Sequence, residues 1–283
     1  MDDRFPTLTV DEIDASRLTA FDGKTFVVAD SEVNMACLLK LLPGAEKLFI
    51  MLHGAVDRVK TPLPVFARWN WGKTLGGHVL AVCDPTLNLD EGLRLGWFLG
   101  RVGMNPTRTL IATANRVREL LKIDASRMIF YGSSGGGFAA LIAGSSMDVG
   151  RVVCINPQTD VSNYYPKAVA RIALVFGEQL SVAECRAQHL TRWSAIEAIA
   201  VGQAAGRDLR IFYAQNLVDE VHYARHYKPF CDATRAPVEG GKSPDGRVLT
   251  HVYSSPEGHG AEPPELVKVI GAEGLAHILS DED

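Results

Sequence analysis

Short apolar runs punctuate the chain at Lys47–Leu52, His78–Cys83, Arg127–Tyr131, Arg151–Ile155, Leu209–Tyr213 and Val248–Tyr253. Val, Ile, Leu and Phe dominate them with few polar breaks, whereas a strand with one wet face would alternate apolar and polar positions. The pattern predicts strands covered on both faces. Between the runs, apolar residues recur at helical spacing. Leu110, Ile111, Ala114, Val117 and Leu121 predict a helix over Thr107–Leu121, and further helices are expected at Gly136–Gly144 and Asp219–Phe230. This alternation predicts an α/β fold with an open, doubly wound, mostly parallel sheet. Phe5–Val10 and Lys24–Ala29 are expected to supply leading antiparallel strands. With no internal repeat or low-complexity tract, residues 1–283 read as one domain.

One region breaks the rhythm. Residues 158–206 contain no convincing strand but several helical stretches, at Ala168–Phe176, Val182–Leu190 and Ser194–Ala200. A segment inserted there leaves the sheet at its carboxyl edge, where ligands bind in such folds. It is expected to form a helical cap that shapes a pocket. The plainer alternative is a set of crossover helices lying on the sheet face.

Composition narrows the class without naming an activity. A hydrophobic content of 47% with 22% charged residues is ordinary for a soluble globular chain. The net charge of −4 and the lack of a basic run argue against a nucleic-acid surface. The five cysteines (Cys37, Cys83, Cys154, Cys185 and Cys231) are scattered and odd in number, and Cys83 and Cys154 fall inside apolar runs. That usage suits buried thiols in a reducing compartment better than a disulfide framework. The start of the chain, MDDRFPTLTVDEID, is acidic and unlike a signal peptide, and no apolar run reaches membrane-spanning length. The expectation is a cytoplasmic protein without a membrane span.

Candidate chemistry begins in MIFYGSSGGGFAA, Met128 to Ala140. Here a strand-like run meets a Gly–Ser cluster and then a helix-compatible stretch. Gly132-Ser133-Ser134-Gly135-Gly136 fits Gly-x-Ser-x-Gly with Ser134 at its centre. A nucleophilic serine on a tight strand-to-helix turn needs small flanking residues, and the turn lifts its hydroxyl to the sheet edge. The N–H of Gly135 would then point where an oxyanion forms. Ser133 fits worse, because Tyr131 would stand two positions before it. A plain turn or a phosphate-binding helix start remains open. The cluster lacks the Gly-Lys-Ser/Thr ending of a P-loop and does not give Gly-x-Gly-x-x-Gly, so no nucleotide cofactor is implied. His222 and His226 would share a helix face, but no metalloprotease-type motif surrounds them, and no metal is expected.

From about Lys47 to the C-terminus the chain resembles the α/β-hydrolase family of serine esterases and acyl-transferring enzymes. That family orders its triad as nucleophile, acid, base, each after a strand at the carboxyl edge. The resemblance implies Ser134 as nucleophile, Asp219 (in Ala214-Gln215-Asn216-Leu217-Val218-Asp219-Glu220-Val221-His222) as acid, and His259 (in Ser254-Ser255-Pro256-Glu257-Gly258-His259-Gly260) as base. Asp160 and Glu220 are rival acids, and Asp219 could serve only as a helix cap. Asn216 and His222 are expected to hydrogen-bond the loop so that Asp219 points inward. The second oxyanion donor would be the N–H of Ala55 or Gly54, directly after the first parallel strand, with His53 as a brace.

Gly132–Leu141, Asp84-Pro85-Thr86-Leu87 and Gln215-Asn216 are also similar to a bacterial hydrolase-fold branch linked to cell-surface polysaccharides. That branch includes carbohydrate O-acetyltransferases. Trp69, Trp71 and Trp97 are candidates to stack on sugar rings or to pack in the core, and Tyr164, Tyr165 and Trp193 to line an acceptor site. The competing readings are a serine hydrolase of a short-chain carboxylic ester, free or on a carbohydrate, an O-acyltransferase that moves an acetyl group to a saccharide hydroxyl with the same triad, and a non-catalytic binding protein. Either catalytic reading implies a small-molecule or carbohydrate ester as partner and no cofactor.

Overall fold

The computed structural model describes residues 4–280, so both ends of the expected domain, including Met1–Asp3 of the acidic start, lie outside the described residues. A ten-stranded sheet forms the centre. In chain order the strands are β1 (Thr7–Leu8), β2 (Thr25–Asp30), β3 (Val33–Lys40), β4 (Leu48–Leu52), β5 (His78–Val82), β6 (Met128–Ser133), β7 (Val149–Ile155), β8 (Asp208–Asn216), β9 (Gly241–Lys242) and β10 (Val248–Tyr253). They lie side by side as β1-β2-β3-β5-β4-β6-β7-β8-β10-β9. From β5 to β10 every neighbouring pair is parallel.

The continuous apolar runs are explained by what covers them. Leu48, Ile50 and Leu52 of β4 enter one core, shared with the helices Pro106–Leu120 and Gly135–Ser145. Phe49 and Met51 of the same strand enter a second core on the opposite face, with Leu266, Ile270 and Ile278. Successive side chains of a strand point to opposite faces, so a strand buried twice needs an apolar residue at every position.

The amino-terminal strands differ from expectation. Lys24–Ala29 does become β2, but its antiparallel partner is β3, and Phe5–Val10 contributes only Thr7–Leu8, parallel to β2. In β3 the buried residues Val33, Met35, Cys37 and Leu39 alternate with more exposed ones. The strand therefore shows the period of two expected where only one face is covered.

Residues 158–206 are helical, with Pro166–Gly177, Val182–Gln188, Leu190–Trp193 and Ala195–Ala204. The last of these lies along Gly135–Ser145. Pro166–Gly177 and Leu190–Trp193 dock on the stretch between β5 and β6. Val102 N–H donates to the Phe176 carbonyl at 2.8 Å, and Arg192 donates to the Met104 carbonyl at 2.8 Å. The strand order reverses between β4 and β6, and a crevice opens at such a switch point beyond the carboxyl ends of the strands. Both Gly54 and Ser134 lie at that crevice.

Candidate active site

Ser134 is the single residue between the end of β6 and the helix that starts at Gly135. Its φ is +55° with ψ −125°. This is left-handed backbone that costs a residue with a Cβ on the order of 1–3 kcal/mol. The geometry survives because its neighbours carry no Cβ. On Gly132 a Cβ would sit 2.3 Å from the Gly136 carbonyl, and on Gly136 it would sit 2.3 Å from the Leu52 oxygen. Ser134 N–H donates to the Ile155 carbonyl at 3.0 Å, which hangs the turn from β7. Ser133 stays in the strand, and its Oγ accepts from Arg68 Nη2 at 2.7 Å.

The chain leaving β4 passes directly beside this turn. A Cβ on Gly54 would meet Ser134 Cβ at 3.1 Å and Oγ at 3.7 Å. His53 holds that approach, donating from Nδ1 to the Gly54 carbonyl at 2.7 Å and accepting the Asp84 N–H on Nε2 at 2.9 Å. Burial pushes its pKa down, which keeps it neutral and suits the bracing role. Gly135 opens the helix, whose first N–H groups have no acceptor within the helix.

Asp219 caps a helical turn and also accepts two imidazoles. Its Oδ1 accepts the His222 N–H at 3.3 Å and so caps the helical turn Glu220–His222. The same carboxylate receives Nδ1–H of His222 at 3.0 Å and, on Oδ2, Nδ1–H of His259 at 2.6 Å. The two imidazoles stack with centroids 3.8 Å apart and planes 14° from parallel. Burial alone would raise the Asp219 carboxyl, but the hydrogen bonds and charge of the two histidines outweigh it and hold the pKa well below the usual carboxylate range. Asp160 is engaged elsewhere, accepting from Arg186 Nε at 2.8 Å and Nη2 at 2.7 Å and from Ser162 N–H at 2.9 Å. Glu220 faces solvent.

Asn216 ties the acid loop to the histidine loop. Its Nδ2 donates to the carbonyls of Ser255 at 2.9 Å and Gly258 at 2.7 Å, while Oδ1 accepts Ser255 N–H at 3.1 Å. Its helical neighbour His226 is wholly buried, accepts Thr159 N–H at 3.2 Å, and is driven by burial to a pKa of about 3. Asp219, His222 and His259 bring one ligand atom each within 4.8 Å of one another. Both Nδ1 atoms are already committed as donors to the carboxylate, which makes the three a hydrogen-bonded set.

Gln158 stands at the centre of the site and was not among the expected residues. Its Nε2 donates to Ser134 Oγ at 3.0 Å and to His222 Nε2 at 2.6 Å, and its Oε1 accepts the Trp97 indole N–H at 2.9 Å. The available signal was position alone, since Asn156-Pro157-Gln158 leaves β7 at the carboxyl edge. Trp97, 1% exposed, serves this contact and cannot stack on a sugar. Tyr164 is half-buried with its ring 5.9 Å from that of His222, and exposed Tyr165 packs edge-on against it at 4.7 Å. Trp193 is a correction: it is wholly buried, edge-on to Phe176 at 5.4 Å, inside the core of the helical segment. An indole sealed among helices presents no face to an acceptor.

No protein-family model matches the chain, and no curated protein is similar to it at a meaningful level. Solved structures are similar in three dimensions. A chain of the Glycosylation Associate Protein complex from Streptococcus agalactiae superposes with a TM-score of 0.63 at 13% identity, over 90% of this chain and 46% of that one. This protein thus spans about half the length of that chain. The capsule O-acetyltransferase of Neisseria meningitidis serogroup A gives 0.61 at 15% identity, over 89% and 93% of the two chains. The fluorophosphonate-binding serine hydrolase FphF of Staphylococcus aureus gives 0.59 at 8% identity, over 91% and 98%. At such identities the likeness is one of architecture, and it agrees with the sheet order and the strand-to-helix turn at Ser134. The chain has the α/β-hydrolase fold.

Proposed function

We propose that the protein is a serine hydrolase that cleaves a short-chain carboxylic ester through an acyl-Ser134 intermediate. The observation that carries this reading is the 2.6 Å bond from His259 Nδ1 to Asp219, which is linked through His222 and Gln158 to a serine in a strained turn. Ser134 Oγ attacks the ester carbonyl while His259 Nε2 takes its proton, which then passes to the departing alcohol. Asp219 keeps the His259 proton on Nδ1 and stabilises the imidazolium. The N–H groups of Gly135 and of Ala55 or Gly54 receive the oxyanion. Water then attacks the acyl-serine, giving up one proton to His259, and that proton returns to Ser134 Oγ as the acid leaves. In the resting arrangement Gln158 occupies the Oγ hydrogen bond, and contact with His259 forms as substrate enters, as in many sites without ligand.

The likeness to a capsule O-acetyltransferase over nearly its whole length favours a second reading, in which a carbohydrate hydroxyl replaces water. Tyr164, with its ring 5.9 Å from that of His222, and Tyr165, packed against it, would be the residues to hold such an acceptor. One experiment separates the two. Acetyl to butyryl p-nitrophenyl esters are offered with and without oligosaccharides, and the hydrolase reading expects turnover without acceptor. Negligible turnover alone, with acylated sugar formed when the oligosaccharide is added, would replace it by transfer. A fluorophosphonate probe should label the wild type and Ser133→Ala but not Ser134→Ala.

A further inference from the structure

We propose that Gln158, held in one orientation by Trp97, is a positioning residue that selects which of the two imidazoles on Asp219 acts as the base. The proposal rests on the triad reading above and deepens it. Asp219 contacts His222 and His259 through Nδ1 in nearly the same way, at 3.0 and 2.6 Å. Nothing in the carboxylate itself distinguishes the two rings. The distinction comes from the other end of His222.

An indole N–H only donates. Trp97 therefore fixes Gln158 with its carbonyl toward the indole and its NH2 toward Ser134 and His222. An amide NH2 has no lone pair to offer, so His222 Nε2 must accept and carries no proton. The single proton of the neutral ring then sits on Nδ1, where it meets Asp219. Each link from Trp97 to Asp219 runs in one direction only.

Two consequences follow for the reaction. Protonating His222 at Nε2 would set an N–H against the Gln158 NH2, so the ring is held neutral and cannot accept the Ser134 proton. The titratable groups packed around it are Tyr164, His226 and His259, with rings 5.9, 5.3 and 3.8 Å away, and Asp219; of these the neighbouring His259 disfavours a proton and Asp219 favours one. The charge of Asp219 is thus left for the imidazolium on His259, whose side chain is 34% exposed and open to substrate. At the same time Ser134 Oγ accepts from Gln158, which directs its own hydrogen away from the amide.

The test reads the tautomer directly in the full-length protein by 15N NMR of the histidine rings. Wild-type His222 should show a protonated Nδ1 and a bare Nε2 from pH 5 to 8. In Trp97→Phe the amide is free to turn its carbonyl toward His222, so Nε2 should gain a proton and the ring should titrate within that window, near the ordinary histidine value of about 6.5. If burial of Trp97 makes that variant unfold, Gln158→Met provides the same readout and should also slow fluorophosphonate labelling of Ser134 by about tenfold. A protonated Nε2 in the wild type, or an unchanged His222 in both variants, would overturn the proposal. A protein inert to esters and probe whose His222 still behaves as described would overturn the hydrolase reading and the base selection that rests on it, whereas an active protein whose His222 does not would overturn this proposal alone.

Discussion

Arg68 and Glu262, 194 residues apart, form a buried ion pair that joins the segment after β4 to the loop carrying His259. The guanidinium lies over the rings of Tyr131, at 5.3 Å, and Trp71, at 5.7 Å, and also donates to Ser133 Oγ. One side chain thus touches the strand end before Ser134 and the loop carrying His259 at once. With side chains 11% and 5% exposed, the pair is shielded from water. Removing one partner leaves a buried charge alone, which costs roughly 3–5 kcal/mol. Glu262→Leu should destabilise the fold on that scale and lower kcat by loosening His259. The double variant Arg68→Met/Glu262→Leu should recover most of the stability in thermal melts, and a double variant no better than Glu262→Leu would remove the ion pair as the cause.

Asp219 and Asp160 should separate cleanly by mutation. Asp219→Asn is expected to keep the fold and lower kcat by about 10⁴, because the His259 tautomer is no longer enforced. Asp160→Asn should instead weaken the tie to Arg186, lowering the melting temperature while probe labelling persists. Ester turnover and melts on both variants check the ranking, and the reverse order would make Asp219 a helix cap only.

Gly132→Ala places a methyl 2.3 Å from the Gly136 carbonyl, where backbone must move. The expected result is little folded protein. Gly258→Ala, beside His259, meets nothing within 4 Å but imposes a Cβ on a φ of +58°. Its cost should be about 1–2 kcal/mol, from backbone conformation alone. Circular dichroism and urea titration of the two variants compare the cost of close approach at the Ser134 turn with the cost of backbone conformation in the His259 loop.

The buried histidines predict a specific acid sensitivity. His226 has a folded pKa of about 3, held down by burial, against an unfolded value near 6.5. Between these values the unfolded state binds the extra proton, so stability falls as pH drops, by up to about 1.4 kcal/mol per pH unit from this one group. Asp219, with its depressed pKa, stays charged through most of the window and contributes its loss only below the ordinary carboxylate range. His226→Asn, whose Oδ1 can still accept Thr159 N–H, should flatten the stability profile between pH 6 and 4. An unchanged slope in urea titrations would assign the effect to other histidines.

The sheet was legible where each strand carries its own evidence. A strand buried on both faces is apolar at nearly every position, so β4 to β8 are visible as runs in the sequence alone; β10 also reads as a run, although Leu249, His251, Val252 and Tyr253 are only partly buried. Ser134 was legible for a similar reason: the turn is so tight that Gly132 and Gly136 must flank it, and this constraint is local. The pairing of Asp219 with His259 was an expectation of the family resemblance, which orders such residues relative to the strands, and the tie from Asn216 was an expectation from its place ahead of Asp219. β3 carried its signal too, in the alternation of Val33, Met35, Cys37 and Leu39, but a half-covered strand has half the apolar content. The tertiary structure alone decided the rest. Gln158 gains its role from Trp97, 61 residues earlier, and from His222, 64 residues later. Glu262 gains its role from Arg68. A glutamine after a proline or an arginine in a loop has no periodicity and no backbone requirement to mark it. Trp193 errs the other way, since an indole is equally suited to a sugar and to a core. What such side chains do is set by partners that folding brings from other parts of the chain, through hydrogen bonds and burial that act only at contact distance.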